Sequence, residues 1–302
     1  MKNEIGLIID DVSTVLLDKR EEISLALACI LARGHLLIED LPGVGKTTLV
    51  KALSRALGLD FHRIQFTNDL LPNDIIGSAI YDKDSSEFRF APGPLFAELV
   101  LADEINRAHP RTQSGLLEAL EERKVSALGK VFDLPSCFTL IATQNPHWQK
   151  GTFPLPESIL DRFLMGLTIG LPQQALQIQL YRGFDQTAAM AKIPQRWNSS
   201  KLVEVQQQVG RIFVSESIGK YIYSIMEKAR SNPQLLPISP RAGLGLSRLS
   251  QAWAWMEGRD HVLPDDVKKM APYGLGHRVI SEQTILIGQE RIKDVLEKVE
   301  VV

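Results

Sequence analysis

The sequence predicts an α/β protein: a parallel sheet sandwiched between helices and carrying inserted β-hairpins, followed by a smaller all-α domain. Three observations lead there. The stretch Gly43-Val44-Gly45-Lys46-Thr47-Thr48 lies between a short apolar run and an amphipathic segment, the strand–loop–helix setting of a phosphate-binding loop. The run Leu99-Val100-Leu101-Ala102 is apolar without alternation, as expected of a strand covered on both faces of a parallel sheet. After about residue 170 strand signals cease and helical periodicity takes over. The boundary is therefore set at 172/173, giving an αβ domain over 1–172 and a helical domain over 173–302.

The elements follow in chain order. Residues 1–33 read as one helix, with Ile23, Leu27, Ile30 and Leu31 at helical spacing. His35 to Glu39 reads as a strand entering the glycine loop. Residues 46–57 place Leu49, Leu53 and Leu57 on one helical face, and Gly58 closes that helix. A second strand is expected at 61–66. The segment 68–96 holds Pro72, Gly77, Pro92, Gly93 and Pro94 around strand-like runs at 78–82 and 86–90, which predicts an inserted β-hairpin. The strand ending in Asp103-Glu104 comes next, then a helix at 111–122 and a second hairpin at 124–134 turning at Gly129. A core strand over 138–143 leads into Gln144-Asn145-Pro146. Strands alternating with helices imply βαβ units. Five helices are read beyond: 173–183, 199–211, 215–230, 240–257 and 264–271.

Composition excludes several classes. With 302 residues, 44% hydrophobic and 23% charged, the chain has an ordinary globular make-up. A net charge of −2 carries no basic field for general nucleic-acid binding. Cys29 and Cys137 lie in apolar stretches, as buried thiols do. No run of about 18 apolar residues is present, so no membrane span is expected. Asp10 and Asp11 interrupt any signal-peptide core. A cytoplasmic protein is the expectation. His109, His147 and His277 have no metal-ligand spacing.

The glycine loop departs from the pattern G-x-x-x-x-G-K-[ST] at its first position, where Asp40 stands. The phosphate-binding work falls on later residues. Pro42, Gly43, Val44, Gly45, Lys46, Thr47 and Thr48 supply backbone N–H groups, a cation and a hydroxyl at a helix start. Asp40 is expected to be only the strand exit, where aspartate tolerates turn conformations. The strand ending at Asp103-Glu104 adds a carboxylate for the Mg²⁺ shell and a second one to activate water. Thr47 and Asp103 are the expected metal ligands, the latter through water. Asn145 adds a polar tip. All lie at carboxyl ends of parallel strands, where open α/β sheets bind ligands. The expected cofactors are a nucleotide and Mg²⁺.

Several stretches together resemble the MoxR family of AAA+ ATPases: LPGVGKT at 41–47, APGPLFAELVLADEINRA at 91–108, QSGLLEALEER at 113–123, IATQNP at 141–146, FPLPESILDRFLM at 153–165, SPRAGLGL at 239–246, GRDHVLPDDV at 258–267 and LGHR at 275–278. The resemblance covers about residues 15–280. It implies that Lys46 and Thr47 are Walker A residues, Asp103 and Glu104 Walker B, Asn145 sensor 1, Arg162 an arginine finger and Arg241 sensor 2 on a helical lid. Glu104, Asn145 and Arg162 are thus the expected catalytic residues. Arg107 and Arg111 remain rival fingers. It further implies a homo-oligomeric, hexameric ring acting on a protein client in a chaperone-like way, in some cases with a partner bearing a von Willebrand A domain. An ATP-assembled scaffold and the motor half of a metal-chelatase-like complex are the alternatives; a DNA translocase is disfavoured by the charge. Asp18 and Pro237 stand where relatives often carry glycine.

Overall fold

A computed structural model describes residues 2–84, 86–146, 152–183, 185–280 and 284–301; His147 therefore lies outside the described residues. Nine strands are seen among the described residues: β1 (Leu36–Glu39), β2 (Phe61–Gln65), β3 (Gly77–Asp82), β4 (Glu87–Pro92), β5 (Leu99–Asp103), β6 (Lys124–Ala127), β7 (Lys130–Asp133), β8 (Thr139–Gln144) and β9 (Met165–Leu167). The helices of the first half are α1 (Lys2–Ser13), α2 (Arg20–Leu31), α3 (Lys46–Leu57), α4 (Pro72–Ile76), α5 (Pro110–Ser114), α6 (Leu117–Glu122) and α7 (Glu157–Leu160). Beyond β9 the described residues form helices only: α8 (Gln174–Tyr181), α9 (Gln186–Lys192), α10 (Ser199–Val209), α11 (Glu216–Arg230), α12 (Pro240–Met256), α13 (Pro264–Leu275) and α14 (Ile285–Leu296), with one short 3₁₀ turn.

Five strands make one all-parallel sheet in the order β2-β5-β8-β1-β9. Its central strands are buried throughout, and their side chains alternate between two apolar cores. Leu36, Ile38, Leu99, Leu101 and Ile141 join one; Leu37, Val100, Ala102, Leu140 and Ala142 join the other. The two-residue period of a strand thus explains why these runs are apolar without a polar partner residue. The first core runs from α1, α2 and α3 into α10 to α13, so the helical segment packs on the αβ layer without an apolar break. The second fills the space beneath α4, α5 and α6.

Both hairpins form. β3 pairs with β4 and β6 with β7, each antiparallel; the second turns through Leu128 and Gly129, both at positive φ. Three expectations need correction. Residues 1–33 are two helices, broken at 14–19, where Asp18 takes a φ of 60°. Aspartate tolerates this left-handed conformation better than most residues, so the chain turns there and feeds the broken segment toward the glycine loop. The helix read at 111–122 is split around Gly115 and Leu116 into α5 and α6. Strand β9 and helices α4, α7, α9 and α14 were not foreseen: β9 is only 3 residues long, too short for a period to register.

Candidate functional site

The carboxyl ends of β1, β5 and β8 open on one cavity of about 470 Å³. The chain leaves β1 through a loop in which Gly43 (φ 86°) and Gly45 (φ 103°) are both left-handed. The positive φ at Gly45 requires glycine, and a Cβ there would in addition displace the tip of the Leu16 side chain, 2.7 Å away. Helix α3 starts at Lys46 and aims its unpaired N–H groups into the cavity mouth, a setting that favours anions. Every residue from Pro42 to Thr48 lines the cavity, as do Asp103, Glu104 and Asn145. The sequence-predicted phosphate loop and both acidic residues therefore meet in one place.

Lys46 is 7% exposed. Its ammonium donates to the carbonyls of Asp40 at 2.5 Å and Leu41 at 3.2 Å, and reaches Asn145 Oδ1 at 3.5 Å. Burial pushes its pKa down, opposed by the carboxylates of Asp40, Asp103, Glu104 and Glu39. The cation is thus parked on neutral carbonyls inside an acidic ring, available to a better anionic partner.

Asp103 is buried and both its oxygens are engaged. Oδ1 accepts from Thr143 Oγ1 at 2.5 Å, and Oδ2 accepts from Arg63 Nη2 at 2.6 Å and Nε at 3.1 Å. Glu104 sits at a left-handed φ of 56°, a conformation that costs energy and clusters at functional sites. Its N–H donates to Thr143 Oγ1 at 2.9 Å. Its carboxylate accepts from Asn145 Nδ2 at 3.0 Å, from Gln65 Nε2 at 3.0 Å and pairs with Arg107 at 3.0 Å. Arg107, one rival finger, is thus tied to a carboxylate of its own chain.

Asp40 does more than end a strand, contrary to expectation. Its Oδ2 accepts from the N–H groups of Ile169 at 2.8 Å and Gly170 at 2.6 Å, and its Oδ1 from Leu41 N–H at 2.9 Å. One carboxylate thereby ties the glycine loop to the segment leaving β9.

Arg162 and Arg241 are brought together, but not in this cavity. Both guanidinium groups hold Glu121: Arg162 at 2.5 Å on Oε2, Arg241 on Oε1. Arg241 first, then Arg162, hold the Glu121 carboxyl below the usual range. Behind them Asp161 accepts from Arg278 Nε at 3.0 Å and from Ser239 Oγ at 3.0 and 3.1 Å. Arg278 also donates to the carbonyls of Asp161 at 3.0 Å and Phe163 at 2.7 Å. The LDRF, SPRA and LGHR stretches therefore form one cluster around the base of α12.

Sequence reasoning missed several cavity residues: Val15, Leu16, Leu17 and Lys19 in the break between α1 and α2, and Pro172, Leu176 and Gln186 beyond β9. It also missed Arg63 and Gln65 on β2. The signal that would have found the latter pair is alternation: both point to one side of a strand whose C-terminal neighbour in register, Gln65 opposite Asp103, is the acidic tip.

Comparison with known proteins agrees with this geometry. Residues 35–165 match the model of the ATPase family associated with various cellular activities (AAA), and residues 228–299 match an AAA lid domain. The chain is similar to the uncharacterized protein YeaC of Bacillus subtilis, 41% identical with 91% of this chain and 87% of the relative covered. It is 37% identical to Chaperone MoxR1 of Mycobacterium tuberculosis, covering 89% of this chain and 74% of that protein. A crystal structure of a Cytophaga hutchinsonii ATPase candidate superposes with a TM-score of 0.86 at 32% identity, over 100% of this chain and 96% of the other.

Proposed function

The chain belongs to the MoxR family of AAA+ ATPases, and on that footing we propose that it converts Mg-ATP hydrolysis into remodelling or assembly of a protein client. That it is a nucleotide-binding ATPase follows from the family; the residue roles and the client are the proposal. One observation carries it: Lys46, Thr47, Asp103, Glu104 and Asn145, from the ends of three adjacent parallel strands, line a single cavity at a helix N-terminus.

In this reading the backbone from Pro42 to Thr48 binds phosphate oxygens, and Lys46 exchanges the Asp40 and Leu41 carbonyls for the terminal phosphates. Glu104 accepts a proton from the attacking water, and Asn145, already bonded to Glu104, orients that water against the γ-phosphate. Thr47 and Asp103 offer the hard oxygen donors that suit Mg²⁺, which supplies charge neutralisation when bound. The engagement of both Asp103 oxygens fits a contact made through water, unless Arg63 withdraws.

Arg162 and Arg241 share Glu121 and neither is among the described residues lining their own chain's cavity. This supports their delivery to the nucleotide of a neighbouring subunit in a ring, with six as the expected number. The helical segment from 173 to 302 acts as the lid that passes the nucleotide state to client contacts, in the cytoplasm. A partner with a von Willebrand A domain rests on the family resemblance alone.

The test is capture by Glu104→Gln protein, which should load ATP and stall. A client retained only with ATP, and released by wild-type protein on hydrolysis, supports the reading. Retention that is equal with and without nucleotide, or unchanged by Lys46→Ala, would refute it.

A further inference from the structure

A second cavity, about 550 Å³, opens at the opposite edge of the sheet, where β1 and β8 begin. It lies between the end of α2, the turn after α6, and helices α10 and α12. Its wall carries four arginines, Arg33, Arg123, Arg211 and Arg248, with Gln206 and Gln251, and no Asp or Glu. Several other guanidinium groups in this chain of net charge −2 are matched, among them Arg196 to Asp11, Arg259 to Asp266 and Arg278 to Asp161. Among the described residues no carboxylate lies within salt-bridge distance of these four arginines.

Arg123 forms the fixed floor. Its backbone is left-handed at φ 55°, and its guanidinium donates to the carbonyls of Phe138 at 2.8 Å, Arg33 at 2.8 Å and Ser136 at 3.4 Å. Burial, then the charges of Arg33 and Arg248, push it down to about 10, so it stays charged in a field of like sign. Gln206 is 4% exposed; its Nε2 donates to the Ile30 carbonyl at 2.8 Å while its Oε1 is buried without a partner. Arg211 and Arg248 are exposed at the rim.

We propose that this cavity is a second anion site, binding a small soluble compound that carries two or more phosphate groups. Guanidinium forks match phosphate oxygens in pairs, and four uncompensated charges call for more than one monoanion. The volume lies within the roughly 300–1,000 Å³ of small-molecule sites. Half-buried Arg123 lies at the floor below the exposed Arg33, Arg211 and Arg248, a concave arrangement that suits a small anion.

The experiment uses full-length Lys46→Ala protein, which removes the phosphate-loop cation and so separates this site from the first. Inorganic tripolyphosphate is titrated by calorimetry. The expected result is one site per chain, weakened at least about tenfold by adding Arg211→Ala and Arg248→Ala together, each rim guanidinium contributing on the order of 1 kcal/mol. Both positions are exposed, so the ligand-free unfolding midpoint should not move. Tripolyphosphate binding equal in the two proteins, or absent from both, overturns the proposal. So does a change of oligomer mass in the rim variant with binding unaltered, which would make the cavity a contact for an acidic segment of another chain.

Discussion

At the residue scale, two side chains carry separable tasks and a third has acquired one that its position did not announce. Lys46 is a buried cation facing four carboxylates; it gains a phosphate partner or it has none but carbonyls. Lys46→Ala should weaken ATP binding about 10- to 100-fold, the value of a charge-assisted contact of about 1.5–3 kcal/mol. Glu104 lines the cavity wall but acts as an acceptor, so Glu104→Gln should hold ATP while turnover falls about 10²- to 10⁴-fold. Fluorescent-nucleotide titration and phosphate release measure the two, and a parallel loss of binding in both variants would erase the division of labour. Asp40 is the third. Glycine there would restore the usual loop pattern, yet it would remove an acceptor for three backbone N–H groups. Asp40→Gly should therefore lower unfolding free energy by about 2–3 kcal/mol, read from the urea midpoint, with Asp40→Asn milder. An unchanged midpoint would return Asp40 to the role of a mere strand exit.

At the element scale, β2 and the two buried histidines show what polar groups do inside the layer. Arg63 and Gln65 project from an edge strand onto the tips of the neighbouring β5, one on Asp103 and one on Glu104. A divalent ion at Asp103, as proposed, would compete with Arg63 for the same carboxylate. Its side chain is 45% exposed, so solvent screens the pair and its worth is under about 1 kcal/mol; Arg63→Ala should tighten Mn²⁺ binding, followed by electron paramagnetic resonance, by about two- to fivefold. Weaker Mn²⁺ binding would show that Arg63 assists the metal site instead. His35 joins the end of α6 to β8: its Nδ1 accepts from Leu140 N–H at 2.9 Å, so its Nε2 is the protonated nitrogen facing the Leu120 carbonyl at 3.2 Å. His277 holds the Phe163 carbonyl at 2.9 Å. Burial is the first cause that pushes each down to about 3. The unfolded chain, near pKa 6.5, then binds more protons, so the stability these neutral rings confer is whole above about pH 6.5 and lost as pH falls toward 3, by about 1.4 kcal/mol per pH unit for each ring. Urea midpoints should drop between about pH 7 and pH 5, and less so in His277→Gln. The same polar positions mark where the sequence was legible and where it was not. The central strands were readable because alternate residues enter two apolar cores and leave an unbroken run. The phosphate loop was readable because glycines at positive φ have few substitutes. The break at Asp18 was not, since α1 and α2 carry one continuous helical period and only a backbone conformation separates them. The roles of Arg63 and Gln65 were not legible, because which carboxylate a polar side chain meets depends on the register of a strand 38 residues away.

At the scale of the whole molecule, the question is which nucleotide the two outlying arginines serve. Asp161, Ser239 and Arg278 lock the LDRF turn to the first turn of α12 and to the end of α13, so Arg162 and Arg241 move together with the helical segment. Both lie on Glu121 and outside their own cavity. A guanidinium so held reaches developing phosphate charge only if another subunit presents its nucleotide to that face. Arg162→Ala and Arg241→Ala should then each bind ATP normally and hydrolyse it poorly. Lys46→Ala fails for a different reason, since it loads nucleotide poorly. Mixing Lys46→Ala protein with Arg162→Ala protein should restore part of the turnover: an Arg162→Ala subunit loads ATP in its intact loop, and a Lys46→Ala neighbour supplies the missing guanidinium. The same mixture with Arg241→Ala should recover as well, because the shared carboxylate orients both arginines toward one partner. Fluorescence transfer between labelled subunits first establishes that mixed assemblies form. If they form and the Arg162 mixture stays as inactive as its parents, Arg162 does not act across a boundary. Arg111, exposed and without an ion pair among the described residues, then becomes the better finger, Arg107 being bound to Glu104 of its own chain. Recovery for Arg162 without recovery for Arg241 would divide the pair, assigning Arg241 to its own subunit after a lid movement that breaks its bond to Glu121. In either positive outcome the activity should fall on dilution, because an assembly that dissociates removes the arginines from every site at once.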